Sequence, residues 1–347
     1  MKAVAVASEA AADEAANRIL AEGGTAADAL VAGFLAAASA RAGVLLCPVQ
    51  ALFAGPGAGA RAFDGRARQP GRGLPRPRGV TKEDSVPAAA RVGAPASLGA
   101  LALVHAYAGR LSLQRLAGPA LEHARDIGAG ERGEVIAKIS RAGPAALREA
   151  SVARPLLAVA GRTEGGLLSD EDLAEVRPES SLPRTADVGG RRCVLLVPWR
   201  APESPQRTTE FVAAVDANGV MATLGYAPDD EGLEVPELGL TLPRDAIVVR
   251  RGIPRVTPGE PLPCPAPIAI GLDDHVAFIA LGVRARTPLE LAPLGAAWSE
   301  RTANASMLLA AANEAAHGTG ARAVLRSTQT EEAQRVSLPG RELPRVV

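Results

Sequence analysis

Lysine is nearly absent from this chain of 347 residues: it occurs only at Lys2, Lys82 and Lys138, while arginine is abundant. With the many alanines, this reads as a bias of base composition rather than as a functional device. Aromatic residues are scarce as well, with 5 Phe, 2 Tyr and 2 Trp, which leaves little stacking surface for nucleic-acid bases. The formal net charge is zero, so no field gathers nucleic acid or an anionic membrane surface. Cys47, Cys193 and Cys264 are widely separated, odd in number and without metal-ligand spacing; buried thiols in a reducing compartment are the expectation. His105, His123, His275 and His317 are equally scattered, and neither a metal site nor a cofactor is expected. Long apolar runs are missing too. The longest, Ala29 to Ala40, lies between Asp28 and Arg41 and falls short of the roughly 20 residues that span a bilayer. The run from Ala3 ends at the acidic Glu9 and is too short for a secretory signal. A cytoplasmic protein with no membrane or nucleic-acid partner is expected, its oligomeric state left open, a homo-oligomer included.

What is present divides into a helical half and a strand-rich half. Glu9 to Ala21 and Ala26 to Ala40 read as alanine-rich helices separated by the stop Gly23-Gly24. Val44 to Phe53 leans towards strand, with Ala60 to Phe63 as its partner across Gly55-Pro56-Gly57. Glycine, proline and arginine then dominate from Gly65 to Pro87, an irregular loop. Its arginines (Arg66, Arg68, Arg72, Arg76, Arg78) are either anion holders or solvated loop charges. Helices resume at Ser97 to Tyr107 and Leu113 to Ile127 and continue to about Ala160, and Ser169 with Asp172 forms a capped helix start. A strand follows at Arg192 to Val197, then strands at Thr208–Asp216, Val220–Tyr226, Ala246–Arg251, Pro267–Gly271 and His275–Gly282. Turns are expected at Asn218-Gly219 and Asp273-Asp274. A helix from Ala303 to His317 and a strand from Ala321 to Leu325 close the pattern. Helices first and sheet later predict a layered α+β fold with antiparallel sheets.

Thr208-Thr209-Glu210-Phe211 heads one of these strands. A threonine hydroxyl is a weak nucleophile until a base lies beside it, and cleavage of the preceding peptide bond would make its own α-amine that base. The plainer reading is a β-branched pair suited to extended backbone.

Several segments together resemble the γ-glutamyltranspeptidase family. They are Val4-Ala5-Val6-Ala7-Ser8 with Ile19 to Ala29, similar to its first two helices around a Gly-Gly-Asn-Ala-x-Asp-Ala signature; Phe63-Asp64-Gly65-Arg66; Val92 to Gly99 continuing into Tyr107-Ala108-Gly109-Arg110-Leu111; and Gly165 to Leu173. The resemblance covers most of residues 3 to 285. It implies an N-terminal-nucleophile hydrolase fold, an αββα sandwich of two antiparallel sheets between helical layers. It also implies one domain over 1–347, with a shortened large-subunit-like part (1–207) and a small-subunit-like part (208–347) that starts at the threonine pair. Its members cleave themselves before a threonine, which then passes a γ-glutamyl group from glutathione or a similar amide to water or an amino acid. On this pattern Thr208 or Thr209 is the nucleophile, Arg66 holds the γ-glutamyl carboxylate, Asp245 offers the acid for the substrate amine, and Gly282 remains from the oxyanion loop.

The departures are concentrated in the catalytic parts. Glu210 stands where the family has histidine, and the supporting second threonine is replaced by Tyr226 or Ala227, with Thr223 a few residues early. The serine pair that holds the substrate carboxylate becomes Pro263-Cys264-Pro265, and the glycine-rich oxyanion loop becomes Gly282-Val283-Arg284-Ala285-Arg286. Losing one oxyanion donor typically costs about a hundred- to a thousandfold in rate. Two expectations follow: a divergent γ-glutamyl amide hydrolase or transferase acting on a small γ-glutamyl compound, or an inactive paralogue that keeps the scaffold as an uncut binding or structural protein. An unrelated amidase that uses Arg68, Arg284 or Arg286 as its anion holder is a third, lesser one.

Overall fold

Two antiparallel six-stranded sheets lie face to face, and helices cover both outer faces. The computed structural model describes residues 3–75, 86–175, 178–189, 192–199, 207–247, 256–273, 277–299, 305–327 and 332–338. In chain order the strands are β1 (Val4–Ala7), β2 (Val49–Ala54), β3 (Arg61–Gly65), β4 (Glu179–Ser181), β5 (Arg184–Gly189), β6 (Arg192–Leu196), β7 (Glu210–Val215), β8 (Met221–Tyr226), β9 (Leu233–Val235), β10 (Leu240–Leu242), β11 (Ile268–Asp273), β12 (Ala277–Val283), β13 (Ala321–Ser327) and β14 (Ala333–Leu338). The helices are α1 (Ala10–Ala21), α2 (Ala26–Ala40), α3 (Ser97–Ala108), α4 (Leu113–Asp126), α5 (Gly130–Ala142), α6 (Ala150–Ala160), α7 (Asp170–Glu175), α8 (Leu291–Ser299) and α9 (Ala305–Ala315). The first sheet runs β1-β7-β8-β2-β3-β4, the second β14-β13-β12-β11-β6-β5, and β9 pairs with β10. Both large sheets mix strands from before and after residue 208. None of the described helices is long and apolar enough to cross a membrane.

Three apolar layers result. One lies between the first sheet and helices α1 to α6, a second between the sheets, and a third between the second sheet and helices α8 and α9. Strand β7 shows why its sequence is a continuous apolar run: Val212 and Ala214 face the helices, while Phe211, Ala213 and Val215 face the opposite sheet. Helix α2 packs directly on it, and small residues allow the approach; a Cβ on Gly33 would lie 3.1 Å from a Val212 methyl carbon.

Segments far apart in sequence meet through buried carboxylates. Thr25 and Asp28 form a capping box at the start of α2, and Asp28 also accepts the N–H groups of Arg110 and Leu111 at 3.1 and 3.3 Å. Asp172, capped onto Ser169, accepts the N–H groups of Gly71 and Arg72 at 2.7 and 3.1 Å. In the β7–β8 hairpin, Gly219 takes φ 82°, a left-handed conformation natural to glycine. Asp216 accepts from Asn218 and Val220 there, and its other oxygen accepts from Ala26 at the head of α2.

Some expected elements differ. Val4–Ala7, ahead of the helix expected from Glu9, is a strand held by β7. Residues 44–47 form turns, and the strand begins at Val49. Within the strand expected at Ala246–Arg251, Ala246 and Ile247 are irregular, because their N–H groups go to the Arg91 carbonyl and the Gln69 side chain instead of to a ladder. The remainder of that segment, and the Asp274 and His275 ends of the expected turn and strand, lie outside the described residues. The strands β4, β5, β9 and β14 and helix α8 were not anticipated.

Glycine at Gly282 is a packing requirement, since a Cβ there would lie 2.2 Å from the Phe211 ring. Gly282→Ala should destabilise the fold by about 1–3 kcal/mol through overpacking. Gly133→Ala in α5, where an added Cβ would lie 3.4 Å from the Ala124 Cβ, an ordinary contact, should instead stabilise it by up to about 1 kcal/mol. Urea denaturation of the two variants beside the parent checks both signs.

Candidate active site

The start of β7 separates the two threonines. Thr209 is fully buried; its N–H donates to the Ala285 carbonyl at 2.7 Å and its hydroxyl to the Pro265 carbonyl at 3.4 Å. Thr208 is half-buried and lines, with Glu210, a cavity of about 470 Å³. The Nε of Arg286 donates to the Thr208 hydroxyl in a long contact of 3.5 Å.

Charge dominates the cavity. Arg41, Arg207, Arg244, Arg284 and Arg286 line it, as do Glu210, Asp229, Asp230 and Glu231. Most are paired. Glu210 Oε1 receives Arg284 Nε at 2.9 Å and lies 3.5 Å from Arg41, while its Oε2 is buried without a hydrogen-bond partner. Arg41 also pairs with Glu9 and Asp230. Burial opposes the charge on Arg41, but the hydrogen bonds it donates to Asp230 and Glu9 outweigh it and raise its pKa. Burial likewise works to raise Asp229, yet hydrogen bonds from Arg244 and the charge of Arg207 hold it below the usual carboxylate range. Tyr226 donates to Glu9 at 2.6 Å, and its phenol is pushed up by burial first and by the Glu9 charge second.

The other residues expected at the site stand elsewhere. Arg66 is nearly buried and held by Asp64 through its backbone N–H (2.9 Å), Nε (3.0 Å) and Nη2 (2.9 Å), with its guanidinium carbon 5.4 Å from the Trp199 ring centroid. It is not among the residues that line the cavity. Arg68 shares the same Asp64 at 3.2 Å. Asp245 sits behind Arg207 as its ion-pair partner. Gly282 lies within β12 against Phe211. The Thr223 hydroxyl donates to the Leu281 carbonyl at 3.2 Å between the sheets and so offers no support to Thr208. Among the described residues, no group of three His, Cys, Asp or Glu is placed to hold a metal. Arg41, Arg207, Asp229, Asp230, Glu231 and Arg244 were not anticipated. Their only sequence signals are an arginine that ends a long apolar helix and an acidic run just after β8.

The fold is the αββα sandwich of the N-terminal-nucleophile hydrolases. Among solved structures it is similar to a cephalosporin acylase from Bacillus halodurans, with a TM-score of 0.66 at 14% identity over 98% of this chain and 96% of that one. It is also similar to the structure of LmbA2991T421A, with a TM-score of 0.68 at 16% identity over 97% and 96%. A γ-glutamyltranspeptidase from Pseudomonas nitroreducens complexed with L-DON matches at a TM-score of 0.46, with 19% identity over 56% of this chain and 70% of that one. No family model and no curated protein matches the chain. Identities this low establish the fold and leave the chemistry to be argued from the site.

Two thiols are buried at the inner side of this region. Burial pushes Cys264 up to about 11 against a lowering influence from Arg207, and burial raises Cys47 as well. The folded state therefore holds these protons more tightly than the unfolded chain does. Their contribution to stability is intact below the ordinary thiol value and lost as pH rises through about 11. Stability measured by urea denaturation at a series of pH values should fall above pH ~9, and Cys264→Ala should flatten that decline whatever it does to stability at neutral pH.

Proposed function

We propose that this chain is an amide hydrolase or acyl transferase of the N-terminal-nucleophile type, with Thr208 as nucleophile and small amides of the γ-glutamyl class as substrates. One observation carries the reading: at the head of a central strand in this sandwich, Thr208 faces a charged cavity while Thr209 is buried and hydrogen-bonded between the sheets. The substrate class rests on the γ-glutamyltranspeptidase-like segments of the sequence.

The chemistry has two stages. Attack of the Thr208 hydroxyl on the Arg207 carbonyl breaks the peptide bond, moves the acyl group to oxygen and leaves the α-amine of Thr208. Water then hydrolyses the ester and releases residues 1–207 with a terminal carboxylate. In the second stage the free α-amine takes the hydroxyl proton as Oγ1 attacks a substrate amide, and passes it to the departing amine. Water or an acceptor amine then cleaves the ester.

A second reading, an uncut scaffold, is favoured by a specific observation. Arg66 already has Asp64, and Asp245 already has Arg207. Two of the groups expected to hold substrate are thus satisfied within the chain.

Intact mass and a denaturing gel of the purified protein separate the readings. Two fragments meeting at Thr208 are expected, with Thr208→Ala abolishing both cleavage and hydrolysis of a chromogenic γ-glutamyl anilide, and Thr209→Ala leaving cleavage in place. A single full-length band that persists on incubation would sink the self-processing enzyme and leave the scaffold.

A further inference from the structure

Among the described residues, one guanidinium of the cavity beside Thr208 has no carboxylate partner. Arg41 is paired with Glu9 and Asp230, Arg207 with Asp229 and Asp245, Arg244 with Asp229, and Arg284 with Glu210. Among the described residues no carboxylate pairs with Arg286. It is exposed, and its contact is the long one to the Thr208 hydroxyl. On the same cavity lies Glu231, which forms no ion pair among the described residues.

We propose that this cavity binds a small amino-acid-like zwitterion, with Arg286 receiving the carboxylate and Glu231 the ammonium group. A guanidinium matches a carboxylate through two parallel N–H donors. A ligand that took any other arginine of the cavity would compete with a carboxylate already in place, and at Arg284 or Arg207 that carboxylate, Glu210 or Asp245, is largely buried, so drawing its partner away is costly. At Arg286 it displaces only a long hydroxyl contact. The position expected from sequence, Arg66, already gives its Nε and an Nη2 hydrogen to Asp64 and does not line this cavity. The anion position is therefore moved from the end of β3 to the end of β12, next to the nucleophile. This names the substrate-holding residues of the site proposed above, but the binding itself needs no cleavage and no turnover.

Titration calorimetry on the Thr208→Ala protein, which cannot process itself at that position, tests the proposal with L-glutamate and with glutarate, its analogue without the ammonium group. L-glutamate should bind, and glutarate more weakly. Arg286→Gln should weaken L-glutamate about tenfold or more, in line with loss of a charge-assisted hydrogen-bonded pair. Glu231→Gln should weaken L-glutamate but not glutarate, and Arg154→Gln, an exposed change on α6, should alter neither. Absence of L-glutamate binding, or equal affinity in the Arg286→Gln protein, overturns the proposal; equal affinity for L-glutamate and glutarate overturns the zwitterion assignment. A wild-type chain that cuts itself while its Thr208→Ala form fails to bind L-glutamate would sink this inference alone. An uncut wild-type chain with Arg286-dependent binding would sink the catalytic reading and leave this one standing.

Discussion

Strand β7 has helices against one face and a second sheet against the other, and a slip of one residue along it would exchange the two sets of side chains. Such a slip would drive Phe211 into the helical layer, where Val212 now contacts α2, and would leave Thr209 rather than Thr208 at the cavity. Several independent contacts hold the register. Strand β1 pairs Ala7 with Val212, β8 pairs Tyr226 with Glu210, and Ser8 exchanges hydrogen bonds with Phe211. The Asn218-Gly219 turn pins the far end through Asp216, which is itself tied to the head of α2. The location of the cavity hydroxyl is therefore a consequence of core packing many residues away.

The same strand brings a buried carboxylate to the cavity, and the surroundings are arranged to satisfy it. Glu210 is 2% exposed, and a carboxylate so desolvated is tolerable only beside positive charge. Arg284 comes from the end of β12 and Arg41 from the end of α2, and Arg41 in turn draws in Glu9 and Asp230. Chain segments from the ends of β1, α2, β8 and β12 thus converge on one ion-pair network. A neutral side chain at this position would not require two arginines; glutamate makes the rim a lattice of mutually neutralised charges. That is why so few of them remain to meet a ligand.

Much of the helical layer was legible because its signals are local. Ser169 and Asp172 lie three positions apart at the start of α7 and cap it as the spacing suggests. The two-layer sandwich was legible only through the resemblance, since strands such as β4 and β9 are three residues long and owe their conformation to neighbours. The cavity was the least legible part. Arg41 and Asp230 are 189 positions apart, and no local pattern couples them. The fate of Arg66 is a case in which a local cue was present. Asp64 precedes it by two residues, a spacing that places two side chains on one face of extended chain, and in the folded protein that neighbour occupies the guanidinium.

For the acyl transfer proposed for Thr208, backbone donors matter as much as the nucleophile. In acyl transfer the negative charge that develops on the carbonyl oxygen needs preorganised N–H groups, and each one lost typically costs about a hundred- to a thousandfold. At the end of β12, where the sequence resemblance would put an oxyanion loop, two amides are committed: Val283 donates to Pro267 at 2.9 Å and Arg284 to Gly320 at 2.8 Å. These bonds hold the second sheet together, so freeing them for a substrate would break the packing that positions Arg284 and Arg286. Binding a charged ligand at the cavity asks nothing of those amides. Hydrolysis by Thr208 as proposed would have to draw its oxyanion donors from N–H groups other than those of Val283 and Arg284.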